Sequence, residues 1–424
     1  MKSNPRVVIL GGGFAGATCA QSLEKKQKNF EMEVVLIDRN NYFIFYPLLV
    51  EAGTGSLEPR HAVVSIRAFL KKTQFLMAEI TGVNLQNQKI TCQMMGLNET
   101  KIIPYDHLIL GLGSVTHLPL VEGLSTFGFE MKSLQDAVEL RDRAIQMLEL
   151  ANATSDLRKR RALLHFVVVG GNFTGVEVAG EFRQFLGKAC RLYPRLNADD
   201  IRLTLVEITP RILQALDNDT AQYALHQLRQ QGVSILLNTS IDKISADHCT
   251  LQNGQTLFTH TVIWCAGIAP NPLIKRFELP VDKKGYILCD EDLRVKGFEN
   301  VWAIGDCALT RDEDGKPYPA MAQIAAMQGK HLAKNLVKDF QGQPTVPCHL
   351  HSKGNLTALG LRRGVGKIYG KRVEGFSAWF LWRTFYLLKM PGLLRKMRIA
   401  VDWTLDLIFS KDYVQLGVHK KGGP

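Results

Sequence analysis

One short pattern occurs twice in this chain and limits what it can fold into. An apolar run ends in closely spaced glycines, a helical stretch follows, and a second apolar run ends in an acidic residue. In the first copy "RVVIL" runs into "GGGFAG", which ends at Gly16, and "MEVVLID" then ends at Asp38. Strand, glycine turn, helix, strand and acid are the parts of a dinucleotide-binding unit. The sequence therefore predicts an α/β protein.

The second copy follows about 160 residues later, which indicates a second nucleotide fold rather than a chance match. It reads "FVVVGGNFTGVEVAGE" from Phe166 to Glu181, and its second strand ends at Glu207. Asn172 stands where the fingerprint has its middle glycine. Because asparagine tolerates a left-handed backbone, the turn should survive, and the amide is expected to donate to a phosphate oxygen. A copy kept only for packing is the weaker alternative, since Gly175 is retained.

The other residues of the first pattern have separate expected roles. Gly11 permits a tight turn, Gly13 lets the backbone approach a pyrophosphate, and Gly16 lets helix and strand pack closely. Asp38 can accept hydrogen bonds from a ribose diol. In the second copy Glu207 favours a ribose hydroxyl and repels a 2′-phosphate, which predicts a preference for NADH over NADPH.

Length, net charge and cysteine spacing limit the number of domains and the kinds of partner that the chain can bind. At 424 residues the chain is too long for one ordinary hydrophobic core, so several domains are expected. The net charge of +12 suits an anionic partner. Apart from the C-terminal tail no basic run is interleaved with aromatic residues, so nucleic acid is set aside. The eight cysteines form no C-x-x-C spacing, and neither a metal site nor a close redox pair is predicted.

Further motifs resemble one family. The Gly305-Asp306 pair that ends "NVWAIGD", with both nucleotide units, resembles the two-dinucleotide-binding-domain flavoproteins. "DRNNYFIFYPLLVEAGTGSLEP", "GVEVAGE" and "AQIAAMQGKHLAKNL" are similar to type II NADH:quinone oxidoreductases. This resemblance implies two Rossmann-like domains, with an NADH domain inserted into an FAD domain, and a C-terminal membrane-associating helical segment. The implied bounds are 1–115 and 271–345 for the FAD-binding domain, 116–270 for the NAD(H)-binding domain and 346–424 for the C-terminal region.

The same resemblance assigns site residues. The FAD set spans the first fold and the following helix: Gly11, Gly13, Phe14, Ala15, Gly16, Asp38, Arg39, Gly113, Asp306, Ala322 and Gln323. The NADH set belongs to the second fold: Gly170, Gly171, Asn172, Thr174, Gly175, Glu177, Glu207 and Gly267. Glu177, Gln323 and Met327 are the residues implied in catalysis, with the quinone docking beside Gln323.

One departure from the family concerns the glutamine pair A-Q-x-x-x-Q. Gln323 matches the first glutamine, but Met327 occupies the second position and Gln328 follows it. Because residues four apart share a helix face, Met327 should lie on the face of Gln323 and give the quinone a softer, more apolar wall. Gln328 is expected to be an ordinary helix-surface residue.

The implied reaction passes a hydride from NADH to FAD and two electrons on to a quinone of the menaquinone, ubiquinone or plastoquinone type, without proton pumping. Two alternatives stay open. One is an enzyme like sulfide:quinone oxidoreductase, with Cys190 and Cys348 as an imaginable relay; the other is a flavin-bound redox sensor with slow turnover. A disulfide reductase is excluded because no C-x4-C pair follows Asp38.

The tail predicts contact with a membrane. Residues 376–390 are almost wholly apolar but fall short of the ~20 residues that span a bilayer. The next segment is amphipathic, with its apolar stripe formed by Leu394, Met397, Val401, Leu405 and Ile408. Trp379, Trp382 and Trp403, with nearby lysines and arginines, suit the boundary between acyl chains and anionic headgroups. Residues 376–424 are therefore expected to hold the protein peripherally on the cytoplasmic face of a membrane. A core or dimer-interface helix pair is the alternative, and the sequence leaves a homodimer open.

Overall fold

The structure is a computed structural model that describes residues 4–27, 30–352, 354–409 and 411–417. The helices are α1 (Phe14–Lys26), α2 (Leu49–Gly53), α3 (Ile66–Phe69), α4 (Leu124–Phe127), α5 (Leu134–Ala153), α6 (Leu157–Leu163), α7 (Phe173–Ala189), α8 (Asn218–Gln230), α9 (Ala322–Phe340), α10 (Gly375–Lys389) and α11 (Leu393–Ile408).

The strands of the first half of the chain are β1 (Arg6–Leu10), β2 (Glu33–Asp38), β3 (Tyr42–Ile44), β4 (Val63–Ser65), β5 (Gln74–Asn84), β6 (Lys89–Met94), β7 (Thr100–Pro104), β8 (His107–Leu110), β9 (Ser114–Thr116), β10 (Gly128–Glu130), β11 (His165–Val169) and β12 (Arg202–Val206). Those of the second half are β13 (Val233–Leu236), β14 (Ile241–Ile244), β15 (His248–Leu251), β16 (Thr256–Phe258), β17 (Thr261–Trp264), β18 (Ile268–Pro270), β19 (Ile287–Leu288), β20 (Val301–Ala303), β21 (Ala308–Leu309), β22 (Gly354–Ala358), β23 (Gly364–Ile368) and β24 (Lys371–Glu374).

The described residues fall into two compact units. The first gathers those within 4–44, 63–115 and 268–352, and the second gathers those within 45–62, 116–267 and 354–417. Residues 45–62 and the C-terminal helices thus belong to the second unit, although they lie far apart in sequence.

A seven-stranded sheet forms the centre of the first unit, in the order β20-β8-β1-β2-β5-β6-β7. The five strands from β20 to β5 are parallel, whereas β6 and β7 continue the sheet antiparallel. Strand β1 lies between β2 and β8, and Val7 to Leu10 are fully buried. A continuous apolar strand suits a position covered on both faces of a parallel sheet.

The second unit has a five-stranded parallel sheet in the order β10-β17-β11-β12-β13. Strand β11 lies between β12 and β17, as β1 lies between β2 and β8 in the first unit. Each glycine turn therefore leaves the carboxyl end of a strand whose two neighbours come from different crossovers, which is where open α/β sheets bind ligands. These two sheets confirm the predicted pair of Rossmann-like folds.

The C-terminal helices pack within the second unit, where α10 contacts β22, β23 and α11. The interfacial placement expected of three tryptophans is wrong: Trp379, Trp382 and Trp403 are only 6%, 2% and 6% exposed. Their indoles fill the space beneath the two helices, and the guanidinium of Arg383 lies over the rings of Trp379 and Trp403. Within the described residues, no helix combines the length and apolar character that crossing a bilayer requires.

Candidate active site

The first glycine turn lies between β1 and α1. Gly11 has a φ of +99°, and a Cβ atom there would lie 2.2 Å from the Gly111 carbonyl oxygen. A Cβ at Gly16 would lie 1.9 Å from the oxygen of Gly11. At Gly13, by contrast, a Cβ would meet no non-neighbouring atom of the described residues within 4 Å. Two glycines are therefore required by the protein's own backbone, and Gly13 borders open space.

Asp38 at the end of β2 is held against this turn. Its Oδ2 accepts a hydrogen bond from the Gly12 amide at 2.6 Å, and its Oδ1 accepts one from Asn40 at 2.8 Å. Burial raises the pKa of the carboxyl, while the two backbone N–H groups oppose that shift. The carboxylate is thus fixed beside the turn, with lone pairs left for further donors.

The second turn, between β11 and α7, corrects the role expected of Asn172. The left-handed residue is Gly170, at φ +104°, whereas Asn172 has an extended backbone. Its Oδ1 accepts a hydrogen bond from the Gly175 amide at 3.0 Å and caps α7, and its Nδ2 donates to the Cys265 carbonyl at 2.6 Å. The amide expected to donate to a phosphate thus gives one of its two N–H groups to the protein's own backbone.

Glu207 repeats the arrangement of Asp38 in the second unit. Its Oε2 accepts from the Gly171 amide at 2.5 Å, and its Oε1 accepts from the Thr209 amide and hydroxyl at 2.8 and 2.7 Å. The residue is 9% exposed. The structure therefore places an oriented carboxylate beside the second turn, where the ribose diol was predicted.

A cavity of about 310 Å³ opens in the first unit where α9 begins. Its lining includes Gly305, Asp306 and Gln328. The Asp306 Oδ2 accepts a hydrogen bond from the Ser114 hydroxyl at 2.9 Å. The expectation that Gln328 is a helix-surface residue is wrong, because it is 1% exposed and bonded to the Gly305 amide. It is buried because the turn after β20 packs on that side of α9.

Gln323 and Met327 stand one helical turn apart near the start of α9, and both are half-buried. A spacing of four residues puts them on one helix face. Neither lines the cavity that contains Asp306. Gln323 and Met327 belong to the first unit, whereas Glu177 belongs to the second.

Glu177 and Glu181 lie one turn apart on α7. The Thr357 hydroxyl donates to the Glu177 Oε1 at 3.0 Å. Burial raises the pKa of Glu177 to about 8, and it raises the pKa of Glu181 to about 7 although Lys411 opposes the shift. Carboxyl groups with such values can hold a proton near neutral pH and release it, as a general acid or base must.

The remaining predicted residues lie near the glycine turns, the strand ends and the start of α9 described above. In the first unit, Phe14 and Ala15 begin α1, Arg39 follows Asp38, Gly113 follows β8 and Ala322 begins α9. In the second unit, Gly171 and Thr174 flank Asn172, and Gly267 follows β17 with a φ of +87°. Each unit thus collects its own predicted set.

The family follows from comparison with known proteins. A family profile described as "Pyridine nucleotide-disulphide oxidoreductase" matches residues 5–329. The chain belongs to the pyridine nucleotide-disulphide oxidoreductase family. This family member is 30% identical to an "Internal alternative NAD(P)H-ubiquinone oxidoreductase A1, mitochondrial" of Solanum tuberosum, over 96% of the chain and 87% of the relative. It is 29% identical to a "Type II NADH:quinone oxidoreductase" of Staphylococcus saprophyticus, over 89% of the chain and 92% of the relative. These relatives confirm the type II resemblance.

A solved structure has the same fold as this chain. The NDH2 of Plasmodium falciparum, solved in complex with NADH, superposes with a TM-score of 0.90 at 21% identity and covers 97% of this chain and 100% of its own. The family's name mentions disulphides, but the cysteines at 19, 92, 190, 249, 265, 289, 307 and 348 are all free. Burial raises the thiol pKa of Cys190 and brings that of Cys348 to about 12, which disfavours the thiolates that a sulfide relay needs.

The residues of the first unit fit the FAD that this oxidoreductase family binds. The open space at Gly13 lies where α1 begins, and Gly13 has no side chain to cap that helix. A helix N-terminus with exposed backbone donors favours a pyrophosphate. Asp38 and Asp306 provide carboxylates at the ends of two parallel strands, where ribose and ribityl hydroxyls can be bound.

Sequence reasoning missed two features of this oxidoreductase. Gln328 was assigned to the surface, although the helix that carries it is buried on more than one side. Glu181, the last residue of "GVEVAGE", is a second buried acid beside Glu177 to which the motif assigns no role. Its spacing of four residues from Glu177 was the available signal, because residues four apart on a helix share a face.

Proposed function

We propose that this protein oxidises NADH and reduces a quinone at a membrane surface. NADH and a proton are consumed, NAD⁺ is released, and the quinone becomes a quinol with two more electrons and two protons. FAD, when bound, takes up the hydride and passes on two electrons. The observation that carries the proposal is the repeated glycine turn with its oriented acid, present once in each unit of a chain that aligns with type II enzymes over nearly its whole length.

Four side chains of the protein would have separate roles in binding the substrates and holding a proton. Glu207, with an oxygen bonded to the Gly171 amide, would bind the adenosine ribose of NADH and disfavour a 2′-phosphate. Gln323 would contact the quinone headgroup with its amide, and Met327 would give that contact an apolar neighbour. Glu177 would hold a proton close to the nicotinamide and quinone region, since burial raises its pKa to about 8.

A surface for lipid is provided by α10 and α11. The predicted stripe is exposed rather than packed, at 73% for Leu394, 56% for Met397 and 55% for Val401. Asp402 and Asp406 point the other way, toward His61 and Lys411 within the unit. The helix thus leaves a wide apolar stripe exposed while its acids face inward with Ile399 and Trp403, whereas the exposed side of an ordinary surface helix is polar.

The exposed face has the composition of a lipid-binding surface. The outward apolar side chains of the two helices are Phe376, Phe380, Leu381, Leu388, Leu393, Leu394, Met397, Val401, Leu405, Leu407 and Ile408. Lys389 and Arg398 are exposed beside them and suit anionic headgroups. We therefore infer that the exposed face of α10 and α11 binds the anionic surface of a membrane. All eight cysteines are free, which supports the cytoplasmic side.

The reaction is tested with the purified full chain. Anaerobic NADH is expected to bleach the yellow colour of bound FAD, and added menaquinone or ubiquinone should restore it over repeated turnovers. Bleaching by sulfide but not by NADH would replace this function with the sulfide alternative. A single reduction that quinone does not reverse would instead indicate a redox sensor.

The membrane surface is tested by placing negative charges on its exposed apolar face. Val401→Glu combined with Met397→Glu is expected to abolish sedimentation with vesicles that contain anionic lipid, while anaerobic bleaching by NADH stays unchanged. Ile102→Glu is the matched control, because Ile102 is 64% exposed on β7 in the other unit. Equal vesicle binding by all three proteins would remove α11 from the membrane surface.

A further inference from the structure

Gln328 joins α9 to the turn that carries Asp306. Its Oε1 accepts a hydrogen bond from the Gly305 amide at 2.7 Å, and its Nε2 donates to the Thr310 hydroxyl at 2.7 Å. The orientation of the amide is set by chemistry, because a backbone N–H can only donate. The Gln328 side chain is therefore hydrogen-bonded to both ends of the segment from Gly305 to Thr310.

The neighbouring residue brings α1 to the same place. A Cβ at Gly329 would lie 2.4 Å from the Ala15 carbonyl oxygen, so α9 and α1 approach as closely as a glycine allows. A Cβ at Gly305 would lie 3.0 Å from the Cβ of Ala15. The first glycine turn, the Asp306 turn and the start of α9 thus meet around the Gln328-Gly329 pair.

Within this turn, the Gly305 amide depends on the Gln328 side chain. Gly305 has a φ of +75°, a left-handed conformation that its neighbours on the strand do not share. Its amide points into the protein, and a buried amide without a partner loses the hydrogen bond that water gives it in the unfolded chain. Among the described residues, the hydrogen-bond acceptor for that amide is the Gln328 side chain.

We propose that Gln328 is a positioning residue for FAD. By fixing the Gly305–Thr310 segment on α9, it holds the Asp306 carboxylate where the ribityl hydroxyls would bind. The inference rests on the proposed function, since it takes Asp306 as a flavin contact. It assigns to Gln328 a role separate from that of Gln323, which stands on another face of α9.

The experiment measures FAD binding to the apoprotein of the full chain by quenching of FAD fluorescence. Gln328→Leu is expected to raise the dissociation constant about tenfold, the effect of one lost buried hydrogen bond. Gln328→Glu should restore binding to within about threefold, because a carboxyl accepts from the Gly305 amide and pairs with the Thr310 hydroxyl. Thr310→Val, which removes one of the two bonds, should weaken binding about threefold.

Asn335→Leu is the matched control. Asn335 lies two turns further along α9, is equally 1% exposed, and its amide bonds the Val346 amide and carbonyl at 3.1 and 2.8 Å. Its loss should lower the melting temperature about as much as Gln328→Leu while leaving FAD affinity within about twofold.

Two results would overturn the proposal: affinity lost equally in the Asn335 variant, or a Gln328→Glu protein that binds FAD no better than Gln328→Leu. If Gln328→Leu does not fold, Thr310→Val carries the test, and unchanged affinity in that protein also overturns the proposal. Failure of the unaltered apoprotein to bind FAD would contradict the proposed function instead.

Discussion

Gly13 and Asn172 occupy equivalent positions in the two turns and have almost the same backbone. Gly13 has φ −70° and ψ −167°, and Asn172 has φ −78° and ψ −176°. Any residue can adopt this extended conformation. The middle glycine of the fingerprint is therefore required by the space that a ligand needs and not by the turn, so the sequence could predict that the turn survives but not that Asn172 caps the helix.

Glu207 allows a sharper test than removal of its side chain. Glu207→Gln is expected to lower the ratio of kcat/KM for NADH over NADPH about tenfold or more, because the charge that opposes a 2′-phosphate is lost. It should also lower the melting temperature. Either orientation of the amide would face a donor, since Gly171 donates to one oxygen of Glu207 and Thr209 to the other.

Thr209→Val separates these two effects. It removes the hydroxyl that donates to Glu207 at 2.7 Å but keeps the charge. The melting temperature should fall while the preference for NADH remains. If Glu207→Gln leaves the preference unchanged, Glu207 does not contact the ribose.

At the scale of elements, periodicity predicted which residues share a face but not what that face contacts. The stripe from Leu394 to Ile408 is continuous, as the sequence indicated, and it is exposed. Residue type alone places the tryptophans at the membrane, yet Trp403 is buried. The reason is a partner that no local pattern reveals: its indole Nε1 donates to Glu51 at 2.7 Å, and Glu51 lies 352 residues earlier in the chain.

Glu51 and Arg383 hold the two C-terminal helices to α2. The Arg383 Nη2 donates to the Glu51 Oε1 at 3.0 Å, and both side chains are at most 11% exposed. Arg383→Leu is expected to lower the free energy of unfolding by about 3–5 kcal/mol, because it leaves a buried carboxylate without its cation. Urea unfolding near neutral pH measures this.

The double variant distinguishes an uncompensated charge from lost packing. Glu51→Leu together with Arg383→Leu should regain a large part of the stability lost in Arg383→Leu, since neither charge of this pair is left without its partner. Additive losses from the two substitutions would contradict the proposed pairing and would indicate that packing of the long side chains dominates.

At the scale of the whole molecule, the two nucleotide folds could be predicted because each is a local sequence of strand, turn, helix and acid. The composition of the second unit could not. In the second unit, residues 45–62 and α7 meet the described part of the chain after residue 353 through contacts between distant segments, such as Lys411 with Thr54. Motifs describe neighbours in sequence, and they carry no signal for such pairs.

These distant segments bury several charged groups together. Around Glu181 lie Lys411, Glu51, Arg383 and Asp406, and Glu177 is one turn away. Lys411 donates to Ser56 and lies 3.5 Å from Asp406, and burial lowers its pKa. The protonation of this cluster therefore contributes to the stability of the unit as a whole.

The sign of that contribution follows from the raised pKa values. The folded protein binds a proton at Glu181 up to about pH 7 and at Glu177 up to about pH 8, whereas the ordinary value for both is 4.5. Between these limits the folded state holds more protons than the unfolded state, so stability is expected to fall as pH rises from about 5 to about 8.

Glu181→Gln should reduce this fall, because a neutral amide removes one of the titrating groups and Asp406 still faces Lys411. Urea midpoints at about pH 5.5 and about pH 8 provide the measurement. Asp199→Asn, at an exposed acid of the same unit, is the control and should retain the full fall. If the Glu181 variant loses as much stability as that control, Glu181 does not titrate in this range.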